Sequence, residues 1–194
     1  MSTDVGAVAA ARRDATIVYA TDHVEVRPYS FRAFPDLKRV VSVPELHRNL
    51  FLGLPMTHAR MSAIIRYERR QWIRTGAAHW MAYRATGELL GVAGFQRSTI
   101  APGWEVDMAM LPEVRHQPAV IRLYRSLLDH GFSVLGQSTL YALSLASHPS
   151  ARRFGEKEGS VYVRTIEVAP GIRMDHFTIT PASVAAARAT RPLD

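Results

Sequence analysis

Residues 104–145, WEVDMAMLPEVRHQPAVIRLYRSLLDHGFSVLGQSTLYALSL, decide the fold of this chain. They begin with a strand-like run at 104–111, continue into a helical pattern that opens at Pro118, and end in a buried strand at 140–145. Within the helical pattern the apolar side chains recur at helical spacing: Val120, Leu123, Tyr124, Leu127 and Leu128. A strand, a helix and a second strand in this order predict a βαβ crossover between two strands of one sheet.

The sequence on either side of this unit predicts further strands that are joined mostly by short turns. Upstream, residues 79–84 and 89–95 flank the Thr-Gly-Glu turn and predict an antiparallel meander. A first strand is expected at 23–27, with helices between it and the meander; a short helix, a hairpin and a terminal helix are expected downstream of 145. The predicted class is α/β (α+β): a mixed, mostly antiparallel sheet with one βαβ crossover and helices on both faces.

Length and composition indicate one ordinary globular domain. The chain has 194 residues, of which 47% are hydrophobic and 21% charged, and no apolar run approaches the roughly 20 residues that span a bilayer. We expect an N-terminal extension at 1–20, a main domain at 21–180 and a C-terminal helix or tail at 181–194, in a cytoplasmic setting without membrane contact. There is no cysteine, and none of the eight histidines has H-x-x-x-H or HExxH spacing, so no metal site is expected.

The charge is basic and depends on arginine. Lysine plus arginine total 24 against 17 acids, a net charge of +7, and Arg66, Arg70 and Arg74 follow at four-residue spacing in a helix predicted over 56–74. A basic helix face is one way of binding nucleic acid, and it is also an ordinary solvated surface. We favour the solvated surface, because no aromatic or RNP-like pattern accompanies the arginines.

Four stretches of the chain resemble the GNAT (Gcn5-related N-acetyltransferase) superfamily, and in particular its ribosomal-protein-acetylating branch. They are VRPY at 26–29, TGELLGVAGF at 86–95, EVDMAMLPEVR at 105–115 and SARRFGEKEG at 150–159. The resemblance covers about residues 24–180 and has the same element order. It implies transfer of an acetyl group from acetyl-CoA to a primary amine, which is either a protein N-terminus or a small molecule.

The resemblance also implies the site residues. Glu105 stands at the position of the general base, the carboxylate that takes a proton from the amine. Residues at the family's cofactor positions are Met110, Arg115, His116, Gln117, Ala119, Val120, His148 and Arg153.

The chain departs from the family pattern at several of these positions. Where the family's pyrophosphate loop reads Arg/Gln-x-x-Gly-x-Gly/Ala, residues 115–120 read RHQPAV, and Pro118 has no N–H to donate to a phosphate. On the later helix, His148 replaces an asparagine, and Gly155 replaces the tyrosine that protonates the leaving thiolate. The side chains of the loop are then left to hold the phosphates.

A second resemblance favours a different role. Small GNAT-like proteins of tailed phages also lack the glycine loop, and they are similar to this chain at 153–162 and 177–180. This resemblance implies a catalytically silent scaffold, such as a virion component, with partner contacts through 1–20 and 181–194. In that case we expect Trp104, Gln117 or His148 to fill the cleft between the two crossover strands.

Overall fold

The sheet and its helices are seen in a computed structural model that describes residues 19–21, 23–51 and 53–191. The strands are β1 (Tyr19–Ala20), β2 (Val24–Pro28), β3 (His79–Arg84), β4 (Leu89–Arg97), β5 (Trp104–Met110), β6 (Leu140–Leu145), β7 (Val161–Ala169) and β8 (Ile172–Ile179). The helices are α1 (Phe34–Val41), α2 (Pro44–Phe51), α3 (His58–Thr75), α4 (Pro118–Ser133), α5 (Pro149–Lys157) and α6 (Pro181–Thr190), with a 3₁₀ turn at Phe31–Ala33.

These strands form one sheet in the order β1-β2-β3-β4-β5-β6-β8-β7. The strands β5 and β6 run parallel and are joined by α4, whereas all the other neighbouring strands are antiparallel. The predicted crossover and the mixed, mostly antiparallel sheet are therefore confirmed.

Helices cover both faces of the sheet at its centre. Strand β4 is buried at seven consecutive residues, from Leu89 to Phe95, and a strand with one wet face would alternate instead. Trp80 on β3 packs between the sheet and two helices. Its ring contacts those of Trp72 on α3, Phe95 on β4 and His130 on α4, with centroids 5.5–5.8 Å apart. Such edge-to-face contacts add to the stabilisation that burial alone gives.

One of the eight histidines thus belongs to the core. His130 is buried and stacks on Phe95 at 5.8 Å. Burial lowers its pKa to about 4, although a hydrogen bond with the backbone of Gly76 works in the opposite direction. At neutral pH His130 is therefore an uncharged packing residue.

The two chain ends were predicted to carry partner contacts. Of the predicted extension at 1–20, residues 1–18 lie outside the described residues, and Tyr19–Ala20 pair with β2. At the other end, Thr180 caps α6 with a reciprocal capping box, and Val184 is buried in the core. Arg188 on α6 donates to Asp129 at 2.9 Å and to the Arg125 carbonyl at 3.0 Å, so α6 is packed against α4.

Gly94 lies in the middle of β4, between β3 and β5, where the backbone packs closely. It pairs with His79 on β3 and with Asp107 on β5. Its φ is +155°, and a Cβ added there would lie 2.1 Å from the carbonyl oxygen of Ala78. Because that atom is backbone, the sheet itself would have to move to admit a side chain.

We predict that Gly94→Ala destabilises the protein by roughly 2–3 kcal/mol, through overpacking against the β3 backbone. The matched control is Gly136→Ala, since Gly136 also has a positive φ but has open space around its Cβ position; there we expect a loss of about 1 kcal/mol. Urea denaturation of both variants measures the difference. Equal losses would show that the close contact at Gly94 is easily relieved.

Candidate active site

A cleft opens where the two parallel strands stop pairing. Strands β5 and β6 are in register only at Trp104–Leu140 and Glu105–Tyr141. Past these pairs lies a cavity of about 230 Å³ between residues 106–110 of β5 and 142–144 of β6, closed by α4 and α5. The facing edges of the two strands therefore carry backbone groups without a strand partner.

The expectation of a plugged cleft is wrong. Trp104 is buried at the paired end of the strands, and Gln117 points back along its own loop, where its Nε2 donates to the Glu113 carbonyl at 3.3 Å. Neither lines the cavity, and His148 lines it without filling it. The walls are mostly small or apolar side chains: Ala109, Met110, Val120, Ala142, Leu143 and Phe154.

A carboxylate from α2 lies at the mouth of the cleft. The Arg115 guanidinium donates to both oxygens of Glu45 at 3.0 and 3.2 Å, and His148 Nδ1 lies 3.6 Å from the same carboxylate. The hydrogen bond from Arg115 lowers the pKa of Glu45. Arg115, one of the side chains predicted to hold phosphate, is thus already paired with an anion, and His148, a predicted cofactor residue, lies beside the same carboxylate.

The backbone of the loop before α4 has few donors to offer. The N–H of Gln117 donates to the Val114 carbonyl at 2.9 Å, and that of Val120 donates to the Gln117 carbonyl at 3.0 Å. Pro118, at the first position of the helix, has no N–H. Positions 117, 118 and 120 therefore offer no free backbone N–H to a phosphate at this helix start, and the loop side chains become more important.

Two hydroxyl groups lie at the inner end of the cleft. The Tyr124 hydroxyl is 3.2 Å from Ser160 Oγ, and both residues line the cavity. Burial raises the pKa of Tyr124 to about 12, so the phenol keeps its proton at neutral pH. Gly155 is adjacent, since a Cβ there would lie 3.1 Å from Ser160 Oγ, so α4 supplies a phenol beside the position where the family's tyrosine is missing.

The structure brings together most of the predicted cofactor residues. Those that line the cleft are Met110, Arg115, His116, Val120 and His148. Gln117, Ala119 and Arg153 are not among the lining residues: Ala119 is buried in the core, and Arg153 lies on a separate surface beside α6.

The predicted base, Glu105, lies at the last residue pair before the cleft. It is buried and does not line the cavity, and its Oε2 accepts a hydrogen bond from Gln96 at 3.0 Å. Burial raises its pKa, with opposing hydrogen bonds from the side chains of Ser98 and Gln96. Its role as the base stays a prediction.

Asp107, two residues further along, is the carboxylate on β5 that lines the cleft. Its Oδ2 lies 3.4 Å from Nε2 of His79. His79 Nδ1 in turn lies 3.0 Å from Oε1 of Glu68 on α3, and the His79 backbone N–H donates to Glu68 Oε2 at 2.9 Å. Burial lowers the pKa of His79, but the close carboxylates of Asp107 and Glu68 outweigh it and raise the pKa to about 10.

Sequence analysis did not identify this chain of three ionisable side chains. The available signal is Glu68 itself, which falls on the apolar face of α3 with Met61, Ile65 and Trp72 and is buried there with them. A buried acid requires a partner, and the partner comes from the first residue of the next strand.

The described residues also bear on the predictions about metal, membrane and nucleic acid. None of their clusters of histidine, aspartate or glutamate could hold a metal ion. No helix among them is both long and apolar enough to cross a membrane. The arginine-bearing helix is confirmed as α3, with Arg66, Arg70 and Arg74 exposed, while nucleic-acid binding stays a prediction.

A mixed sheet whose two parallel strands separate around a cleft, at the start of a crossover helix, is the architecture of a CoA-dependent acyltransferase domain. The model of the acetyltransferase (GNAT) domain matches residues 23–161. The chain belongs to the GNAT acetyltransferase family.

Solved structures share the fold at low sequence identity. A protein from Bordetella pertussis, described as a GnaT-family acetyltransferase, is 17% identical, with a TM-score of 0.72 over 86% of this chain and 100% of its own. Spermidine N-acetyltransferase from Vibrio cholerae, solved with CoA and spermine, is 12% identical, with a TM-score of 0.69 over 85% and 99%. RimL, a ribosomal L7/L12 α-N-protein acetyltransferase, is 13% identical, with a TM-score of 0.70 over 84% and 93%. None of the curated proteins matches the chain in sequence.

We predict that the imidazolium of His79 makes stability depend on pH above neutrality. Since an unfolded histidine has a pKa near 6.5, the stabilisation is complete below about pH 6.5 and is lost as the pH rises toward the folded value of about 10. The free energy of unfolding, measured in urea across that interval, should fall more steeply in the wild type than in His79→Gln. Parallel slopes would show that His79 is neutral in the folded protein.

Proposed function

We propose that this protein is an acetyl-CoA-dependent N-acetyltransferase that acts on a primary amine. The observation that carries the proposal is the open cleft between β5 and β6, which leads from a basic loop to an acidic side chain on β5. A catalytically silent scaffold has no need for an open cavity with unpaired strand edges, because filling it would stabilise the core.

The residues fit the pantetheine arm of acetyl-CoA better than its phosphates. The unpaired backbone edges suit the amides of the pantetheine arm, and Ala109 and Ala142 leave room between them. Arg115, His116 and His148 would hold the pyrophosphate through their side chains in place of backbone N–H groups. Binding would then depend on charges that salt can screen, and less on the fixed dipoles of a helix start.

When bound, acetyl-CoA supplies an activated acetyl group: the amine nitrogen bonds to the acetyl carbon while the carbon–sulfur bond breaks. The side chains at the inner end of the cleft manage the protons. A carboxylate on β5 accepts one from the amine, and the neutral phenol of Tyr124, which lines the cleft, can protonate the departing sulfur.

The similar structures support an amine as the acceptor. Two of them are named for acetyl transfer to spermidine and to a ribosomal-protein N-terminus. The proposed acceptor is therefore a primary amine of one of those two classes, a small molecule or a protein N-terminus. The phage resemblance, a cytoplasmic or virion-associated location and partner contacts through 1–20 and 181–194 stay predictions.

We predict that the wild type binds acetyl-CoA saturably and that Ala142→Trp abolishes this binding by filling the cleft. The matched control is Ala185→Trp on the exposed face of α6. Calorimetric titration measures the binding. Transfer can be followed with a thiol reagent, because a chain without cysteine gives no thiol signal of its own. No binding by the wild type at millimolar acetyl-CoA would refute the proposed function.

We also predict that Glu45→Gln tightens acetyl-CoA binding several-fold at low salt, because it removes a negative charge from the place where the phosphates bind. The gain should shrink as salt screens the interaction. Glu88→Gln, in an exposed turn where Glu88 pairs with Arg84, is the control and should change nothing. Weaker binding by Glu45→Gln would instead mean that Glu45 holds Arg115 in place for the cofactor.

A further inference from the structure

Three side chains from three separate elements form a continuous chain that ends in the cleft. Glu68 comes from α3, His79 from the start of β3 and Asp107 from the middle of β5, with contacts of 3.0 Å and 3.4 Å between them. Gly94 stands between His79 and Asp107 in the register of the sheet. The imidazole and the carboxylate meet across β4 at this position.

The row of three side chains, Glu68, His79 and Asp107, carries an excess of negative charge. Two carboxylates flank one imidazole, and His79 is the only cation paired with Asp107 among the described residues. The Glu105 carboxylate adds to the excess, since it and Asp107 repel each other. Tyr29 is buried nearby, and burial, with the charges of Glu68 and Asp107, keeps it a neutral phenol by raising its pKa. A protonated His79 therefore leaves one negative charge uncompensated, even before Glu105 is counted.

The uncompensated negative charge is accessible to solvent mainly at Asp107. The side chain of Glu68 is 11% exposed and that of His79 14%, whereas that of Asp107 is 32% exposed. Asp107 is also the member of the chain that lines the cleft. A buried chain with one accessible anionic end is an electrostatic site for a cation, because low surrounding polarity strengthens the attraction.

On the basis of the proposed function, we propose that Asp107 is the ammonium-binding and proton-accepting residue for a cationic primary amine, and that His79 and Glu68 are positioning residues that fix it. An arriving ammonium group donates a hydrogen bond to the Asp107 carboxylate. One N–H bond then breaks, the proton passes to a carboxylate oxygen, and the nitrogen keeps the electron pair with which it attacks the acetyl carbon. The second proton lost from nitrogen ends on the sulfur of CoA.

The geometry distinguishes Asp107 from Glu105 as the proton acceptor. Glu105 sits where β5 and β6 are still paired, with Gln96 on one of its oxygens. Asp107 sits past the end of that pairing, in the wall of the cavity. His79 holds its carboxylate from the side away from the cleft, as a second group commonly holds a catalytic base.

The test is the acetylation of spermidine and of a peptide with a free N-terminus, followed through released CoA. We expect Asp107→Asn to lower kcat about a hundredfold and to raise the KM for the amine, with no change in the Kd of acetyl-CoA. Asp107→Glu should restore part of kcat. Asp129→Asn, which removes an exposed carboxylate from α4, is the matched control. If the loss falls on Glu105→Gln and not on Asp107→Asn, the proposal is overturned and the proposed function stands.

The positioning residues are tested by Glu68→Gln. We expect kcat to fall about tenfold with a nearly unchanged KM for the amine, because Asp107 keeps its charge and loses its fixed orientation. A purely structural role for Glu68 would lower the melting temperature without this split, and that result would remove it from the proposal.

A titration of spermidine and of the free peptide without acetyl-CoA tests the ammonium site independently of the proposed function. Binding to the wild type that weakens at least tenfold in Asp107→Asn, with no binding of the N-acetylated peptide, supports the ammonium site. Equal amine binding by wild type and Asp107→Asn, or none by the wild type, overturns it. Failure of the wild type to bind acetyl-CoA refutes the proposed function, and the amine titration still decides the fate of the ammonium site.

Discussion

The parallel pairing of β5 with β6 stops after two residue pairs, and the site depends on where it stops. Each strand is fully paired on its other side, β5 with β4 and β6 with β8, so both are held rigidly while their facing edges stay apart. The crossover helix α4 begins at the open end. The loop before it contributes Arg115 and His116 to the cleft, and the helix itself contributes Val120 and the Tyr124 phenol. A longer β5–β6 ladder would preserve the fold and close the cleft.

Charge is distributed along this cleft in an ordered way. At the mouth, Arg115 and His148 are balanced by Glu45 from α2, whereas on the β5 wall the negative charge of Asp107 is only partly balanced by His79. An anionic cofactor and a cationic acceptor therefore meet different ends of one cavity. Bringing like charges together costs roughly several kcal/mol. An anionic cofactor is therefore favoured at the mouth, and a cationic amine is favoured beside Asp107.

The fold was predictable from the sequence because its signals are local. The strand runs at 79–84 and 140–145 reappear unchanged, and the helical spacing after Pro118 gives α4. The cleft residues on contiguous motifs, such as Arg115 and Val120, were predictable for the same reason. The Glu68–His79–Asp107 chain was not, because its members lie on three elements that meet only when the sheet register is set. Glu45 was missed likewise, since nothing in α2 indicates that its first turn faces the loop before α4.

Gly94 shows how closely the fold and the candidate chemistry are connected. The approach of the β3 backbone requires a residue without a Cβ at this position, and His79 and Asp107 meet across the same residue. A Cβ here would press on the backbone of Ala78 and His79, so it would displace the sheet and the residue that carries the imidazole together. Loss of function at Gly94 therefore cannot be assigned to either cause. Asp107 is different, because it lines the cleft and is the most exposed of the three side chains, and a change of amide for carboxylate keeps its volume. A substitution at Asp107 can therefore change the chemistry of the site without changing the stability of the sheet. A substitution at Gly94 changes both.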